Sequence, residues 1–183
     1  MENFTNNFLL SMPHLKDSIF SESLIYICNH NSSGAMGIII NKLISEKNIY
    51  NILKETKLEQ LKPKLKIYFG GPVDIKTGMF LHDQKYEIEG TMKISKSISL
   101  SSNIKIINDI KNGHGPDKFK FALGYAGWDN GQLEKEIENG DWLLIPSNDD
   151  LIFNTPSSEI LKKLNSTMNI DINNFSGGIS GLS

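Results

Sequence analysis

The chain of 183 residues contains no arginine, so all 19 of its basic residues are lysines. No guanidinium fork is on hand to grip a carboxylate, a phosphate or a guanine edge at two points. A formal net charge of −2 also removes any general attraction to a polyanion, which argues against direct nucleic-acid recognition. Cysteine occurs once, as Cys28, and this excludes an internal disulfide and any metal site built on cysteine pairs. No apolar run approaches the ~20 residues of a membrane span; the longest is Gly34-Ala-Met-Gly-Ile-Ile-Ile40. The N-terminus, Met1-Glu-Asn-Phe-Thr-Asn-Asn7, has neither the basic nor the apolar region of a secretory signal. A cytoplasmic protein without membrane contact is expected. No phosphate-loop pattern follows the glycine pairs, and Pro72 removes a backbone donor beside one of them. No repeat, low-complexity block or linker divides the chain, so one domain over residues 1–183 is expected.

What is present is concentrated in Gly124-Tyr-Ala-Gly-Trp-Asp-Asn-Gly-Gln-Leu-Glu134 and in Asp141-Trp-Leu143. Both tryptophans of the protein lie here among Gly124, Gly127, Gly131 and Gly140. Large rings beside residues without a Cβ imply close approach of backbone and aromatic faces. This reading gives a strand exit at Gly124, a helix over about 130–139 with Asp129 and Gln132 at capping-box spacing, and a buried strand from Trp142. It also predicts that Gly127→Val destabilises the fold by crowding Trp128, by ~1–3 kcal/mol.

Elsewhere, residues 24–28 and 36–40 read as strands of a hairpin around turn formers at 29–34. A helix is expected over 49–57, and a period-two strand runs through Lys62, Lys64 and Lys66 to Phe69 before the Gly70-Gly71-Pro72 turn. Residues 78–82, 92–95, 118–123 and 142–146 read as further strands. Helices are expected from Ser102 to the Asn112-Gly113 stop, and after a Thr155-Pro156 start that carries Ile160, Leu161 and Leu164. The 176–181 tail reads as loose. Hairpin-like links between strands favour a mixed sheet over a doubly wound one.

Residues able to carry chemistry are few. Cys28 and His30 form a Cys-x-His pair that a regular strand would point to one side, the arrangement of a polarised thiolate. The competing and favoured reading is a thiol buried in an apolar strand beside a turn histidine. His14, His30, His82 and Cys28 lack the spacing of any structural zinc site, so no metal is expected. Glu134, Glu136 and Glu138 splay around one helix and read as a solvated face rather than a catalytic carboxylate pair. The Lys62, Lys64 and Lys66 strip has no interleaved aromatics and reads as a solvated edge. Asn41 either closes a turn or lines a shallow pocket with Asp17 and His82.

Taken in order, Phe8-Leu-Leu-Ser-Met-Pro13, Asp17 to Phe20, Tyr26-Ile-Cys-Asn-His30, residues 34–42, Gly70-Gly-Pro-Val73, Leu81-His82 and the two tryptophan motifs resemble the AlgH (YqgE) family of bacterial proteins. The resemblance spans about residues 8–181. It implies an α+β domain whose mixed, bifurcated β-sheet curls into a pseudo-barrel flanked by helices. The family's biochemical activity is not established, and its name comes from a proposed regulatory link to alginate production in one lineage. Ser18, Leu43 and Asn130 stand where the family often has proline, and Leu182 where it often has histidine.

The expectation that results is a non-catalytic binding or regulatory domain with no cofactor, acting on a protein or small-molecule partner. Its candidate binding residues are Asp17, Cys28, His30, Asn41 and His82. The alternative is a thiol-based sensor or enzyme centred on Cys28 and His30, and a DNA-binding regulator ranks last.

Overall fold

The computed structural model describes residues 3–16, 18–45, 48 and 65–168. The expected helix over 49–57, Lys62, Lys64, the tail from 176 and Asp17 therefore lie outside the described residues. Among those described, β1 (Asn7–Ser11) precedes a tight hairpin. β2 (Leu24–Asn31) and β3 (Gly34–Ile39) turn through Ser32 and Ser33, with Asn31 facing Gly34. Then come β4 (Ile67–Phe69), β5 (Val73–Asp83), β6 (Met92–Lys93), β7 (Ile98–Ser101), β8 (Phe119–Asp129) and β9 (Trp142–Pro146). The helices are α1 (Lys105–Lys111), α2 (Gln132–Glu138), α3 (Asp149–Phe153) and α4 (Ile160–Met168).

The strands join in the order β6-β7-β5-β8-β3-β2-β1-β9, with β4 beside β8 off that path. Among the described residues, every strand pairing is antiparallel except β4 with β8. The sheet is mixed and curls into a half-barrel with helices against it, an α+β fold.

The split in the sheet lies along β8. Its first half has β5 on one edge and β4 on the other, where Phe121–Leu123 face Ile67–Phe69. Its second half pairs with β3, Ala126 against Gly37 through Asp129 against Gly34. Where β3 and β8 part, β4 fills the gap: Ile39 N–H donates to Gly70 O at 2.9 Å and Gly70 N–H to Leu123 O at 2.9 Å. Gly124 sits at the fork with φ +69°. A Cβ there would meet Gly71 O at 2.5 Å and Val73 O at 2.8 Å, and one on Gly71 would meet Tyr125 C at 2.1 Å. Only residues without a Cβ let these backbones approach so closely.

Among the described residues, three apolar clusters fill the space on the two sides of the sheet. The first gathers Phe8, Tyr26, Cys28, Ile38, Leu81 and Ala122 under α3 and α4. The second holds Phe4, Leu9, Ile25, Ile27, Trp128, Leu133 and Trp142, and the third Phe80, Ile106, Ile107, Phe121 and Leu123. β8 does not end at Gly124, as its sequence suggests, but continues to Asp129. Before the glycine, Phe121 and Leu123 face the third cluster; after it Ala126 and Trp128 face the second. The left-handed residue turns the strand over without ending its ladder.

Helix ends follow local chemistry. α1 and α2 each close with a left-handed glycine. Gly113 N–H reaches Ile110 O and His114 N–H reaches Asp109 O; Gly140 N–H reaches Ile137 O and Asp141 N–H reaches Glu136 O. Only one half of the expected capping box forms, Asp129 N–H donating to the Gln132 side chain at 2.9 Å. The last helix starts at Ile160 rather than after Thr155, because the Thr155 hydroxyl donates to Asp150 O at 2.9 Å and closes α3 instead.

Candidate functional site

Cys28 and His30 do not share a side. In β2, Ile27 faces Gly37 and Asn29 faces Met36, so Cys28 is an extra residue opposite no partner. Such a bulge shifts the alternation by one. The Cys28 thiol lies in the first cluster, 2% exposed, and donates to Tyr26 O at 3.5 Å. Burial pushes that thiol well above the usual range for cysteine, which suppresses the thiolate a sensor would need. His30 is also buried, but on the other side. Its ring stacks on Phe4 with centroids 4.8 Å apart. Phe4 N–H donates to Nδ1 at 3.1 Å, so the proton resides on Nε2, which donates to Glu134 Oε1 at 3.2 Å. A Cys–His couple is therefore not formed.

Asn41 closes a turn. Its Oδ1 accepts from Leu24 N–H at 2.9 Å and its Nδ2 donates to Glu22 O at 2.8 Å, bracing Glu22 at φ +52°. His82 is fully buried on β5. Its Nδ1 donates to Asp83 O at 2.8 Å and its ring meets Tyr86 edge-on at 5.5 Å. Its Nε2 has no hydrogen-bond partner among the described residues. No hydrogen bond or ring contact joins Asn41 to His82 among the described residues, and Asp17 lies outside them. Of the described members, Cys28 and His30 are held on opposite sides of the sheet.

Glu134 and Glu136 are not a solvated face. Glu136 Oε2 accepts from Trp128 Nε1 and Trp142 Nε1, each at 2.8 Å, while Gln132 donates to Oε1 at 2.8 Å. The two indoles meet edge-to-face with centroids 6.0 Å apart. Only Glu138 of the three is exposed. A surface pair that the sequence did not announce joins His14 Nε2 to Asp141 Oδ1 at 2.7 Å. No hydroxyl or thiol among the described residues is bonded to the other ring nitrogen. Nor does any group of three or more His, Cys, Asp or Glu stand where it could hold a metal ion, among the described residues.

Among the described residues, two of the features outside the predicted set bear on a ligand or partner. The first is the rim of the fork. Between Val73, opposite Tyr125, and Gly78, opposite Leu123, β5 carries residues 74–77 against Gly124 alone. They form a bulge that folds back over Gly124, where a Cβ would meet Ile75 Cα at 3.1 Å, with Asp74 at φ +47° and its carboxylate accepting from the Thr77 hydroxyl at 2.6 Å. Val73 is 38% exposed and Ile75 44%. Val73 reaches the edge of Gly127, which pairs with Met36, and Tyr125 is half-buried beside them. The second is Lys120, a lysine in the middle of the sheet that is 5% exposed.

Fold and site together define a class: a curled α+β sheet domain whose polar candidates are mostly used up in structural bonds and whose apolar rim is open. Residues 8–173 match the AlgH-like family. A UPF0301 protein of Marinomonas sp. (strain MWYL1) is 39% identical over 181 residues, covering 97% of this chain and 96% of the relative. One from Buchnera aphidicola subsp. Baizongia pistaciae is 41% identical over 166 residues, covering 88% of each. The solution structure of the AlgH protein from Pseudomonas aeruginosa aligns with a TM-score of 0.78 at 29% identity, over 98% of this chain and 96% of that one. A crystal structure from Corynebacterium diphtheriae shares the fold, with a TM-score of 0.71 at 18% identity over 95% and 92%. The chain belongs to the AlgH-like family.

Proposed function

We propose that this protein is a non-catalytic, cytoplasmic binding domain that engages a protein partner through the rim of the forked sheet. One observation carries the reading: Val73 and Ile75 stand exposed on a bulge of β5 whose backbone, at Val73 and Ile75, packs with Gly71 against Gly124. Exposed apolar side chains on a rigid frame suit partner recognition, since little order has to be created on binding. Exposed apolar side chains on a bulge suit a protein surface better than a small molecule, which needs a concavity. The structural use of His30, Asn41 and Glu136, and the separation of Cys28 from His30, support a role without catalysis.

The test compares the tagged wild-type chain with Ile75→Asp by affinity capture from the native cell and mass spectrometry, beside a thermal-shift metabolite screen. The variant should melt with the wild type, because residue 75 lies outside the ladder, yet lose the captured protein. Equal capture by both chains would overturn the reading. So would a metabolite that stabilises both equally while neither captures a protein.

A further inference from the structure

Lys120 spends its amine inside the fold. Its Nζ donates to Ile40 O at 2.7 Å and lies 4.2 Å from the centre of the Tyr68 ring; burial first, and Lys66 second, bring it down to about 7. The outer edges of the sheet face the solvent instead, and they are not alike. β6 and β9 stand at the two ends of the strand order. An end strand offers a row of N–H and C=O groups to any extended chain, and folded proteins blunt such rows with short strands, charge or covering segments. β6 is blunted in this way. It is two residues long, and the Lys93 ammonium on it pairs with Glu87 at 2.7 Å. β9 is not. It runs for five residues, Trp142-Leu-Leu-Ile-Pro146, without a charge. One edge of it pairs along its whole length with β1, from Ser11 against Trp142 to Asn7 against Pro146. In an antiparallel ladder alternate residues turn their backbone groups away from the partner. Among the described residues, no hydrogen bond joins the backbone of 142–146 to any strand or loop other than β1. Pro146 stops the row at its end and leaves the four residues before it open.

The strand is also complementary to itself. Laid antiparallel against its own copy with full overlap, it centres on Leu144. Leu144 then faces Leu144, Leu143 faces Ile145 and Trp142 faces Pro146. Asp141 falls opposite Ser147, so no like charges meet across the junction, and Asp141 is matched within its own chain by His14 at 2.7 Å. Facing residues share a side of the sheet: Trp142 and Leu144 pack with the second cluster, Leu143 and Ile145 with the first. Each side therefore continues into the same side of the copy, and the half-buried Leu143 and Leu144 gain apolar neighbours across the seam. We propose that β9 is a self-association edge, through which two copies of this chain join about a two-fold axis at Leu144 into one continuous sheet. A ladder of five residues a side is small beside the ~800 Å² per partner of a standard interface, so the dimer forms only at high protein concentration. The rim proposed for partner binding lies along β5 and β8, with β3, β2 and β1 between it and β9. It stays uncovered in the dimer, and either proposal can fail alone.

The experiment follows the full chain by sedimentation velocity from about 1 μM to about 1 mM, the range that brackets weak association. The wild type should pass from the mass of one chain to that of two. Leu144→Lys and Leu144→Glu each set like charges face to face at the axis, and each should stay a monomer at the top concentration while circular dichroism shows a wild-type fold. An equal mixture of the two should recover the dimer, because lysine on one copy then meets glutamate on the other. Amide exchange read on the wild type needs no variant to fold: 142–146 should gain protection between the lowest and highest concentrations while β6 does not. A wild type that stays a monomer throughout would overturn the proposal and leave the edge to an extended segment of another protein. A dimer that persists in both charged variants, a mixture of folded variants that stays monomeric, or exchange at β9 that ignores concentration would overturn it as well.

Discussion

Glu136 binds two indole N–H groups through one oxygen while Gln132 holds the other. Both tryptophans are buried, so Glu136→Ala strands two donors. By the penalty for an unmade buried hydrogen bond, the loss should be about 2–4 kcal/mol. Glu136→Gln keeps one oxygen and should lose less, and denaturant melts followed by tryptophan emission read both. At Lys120 the sign of the pH effect follows from its fall from 10.5 to about 7 on folding. Between those values the unfolded chain holds more protons, so this residue's contribution rises with pH across the window and is flat below about 7. Lys120→Met removes the dependence. Its gain in melting temperature should be largest near neutral pH and shrink toward pH ~10, at no more than about 1.4 kcal/mol per pH unit. Neither residue was legible in the sequence. Glu136 gathers donors from two other elements, and the alternation around Lys120 presumes a wet face that the fold instead covers.

The fork and the bulge decide what single changes do to the strands. Gly124→Ala places a methyl within 2.5 Å of Gly71 O while holding φ at +69°. It should lower stability by roughly 2–4 kcal/mol from clash and backbone strain together. Gly127 is different. A Cβ there meets the Tyr125 ring at 3.5 Å and Val73 at 3.7 Å, ordinary contacts, and the residue is exposed. The expectation that Gly127→Val crowds Trp128 is reversed, and its thermal melt should stay within about 0.5 kcal/mol of the wild type. The hairpin, α1, α2, β9 and the strand leading to Gly124 could be read from period and turn chemistry. β1, β7 and α3 were not read as elements, being short apolar or polar stretches without a periodic signal of their own. β4 as a parallel wedge was also hidden, since pairing direction depends on a strand far along the chain.

At the scale of the whole molecule, β1 ties the two ends of the described chain together. It pairs with β2 on one edge and with β9 on the other, Asn7 facing Pro146. We propose from this ladder that the chain behaves as one domain. Circular dichroism and tryptophan emission should then trace a single coincident unfolding transition, whereas two separated midpoints would divide it. Pairings this distant in sequence also place refolding in the slow range, milliseconds to seconds. The ordered motifs made the family and the curled, forked sheet legible, because that recognition needs only sequence order. The placement of Cys28 and His30 was not legible, because Cys28 as an unpaired residue changes the face of everything after it in β2. That residue and Gly124 act as reversals of phase in two strands that both border β3. Homologous chains should thus accept a change of side chain at 28 far more readily than a loss of one residue. A deletion there would restore strict alternation, swing His30 toward the thiol's side and leave Glu134 and Phe4 without their partner. Length, more than identity, is the conserved quantity that β2 is expected to carry.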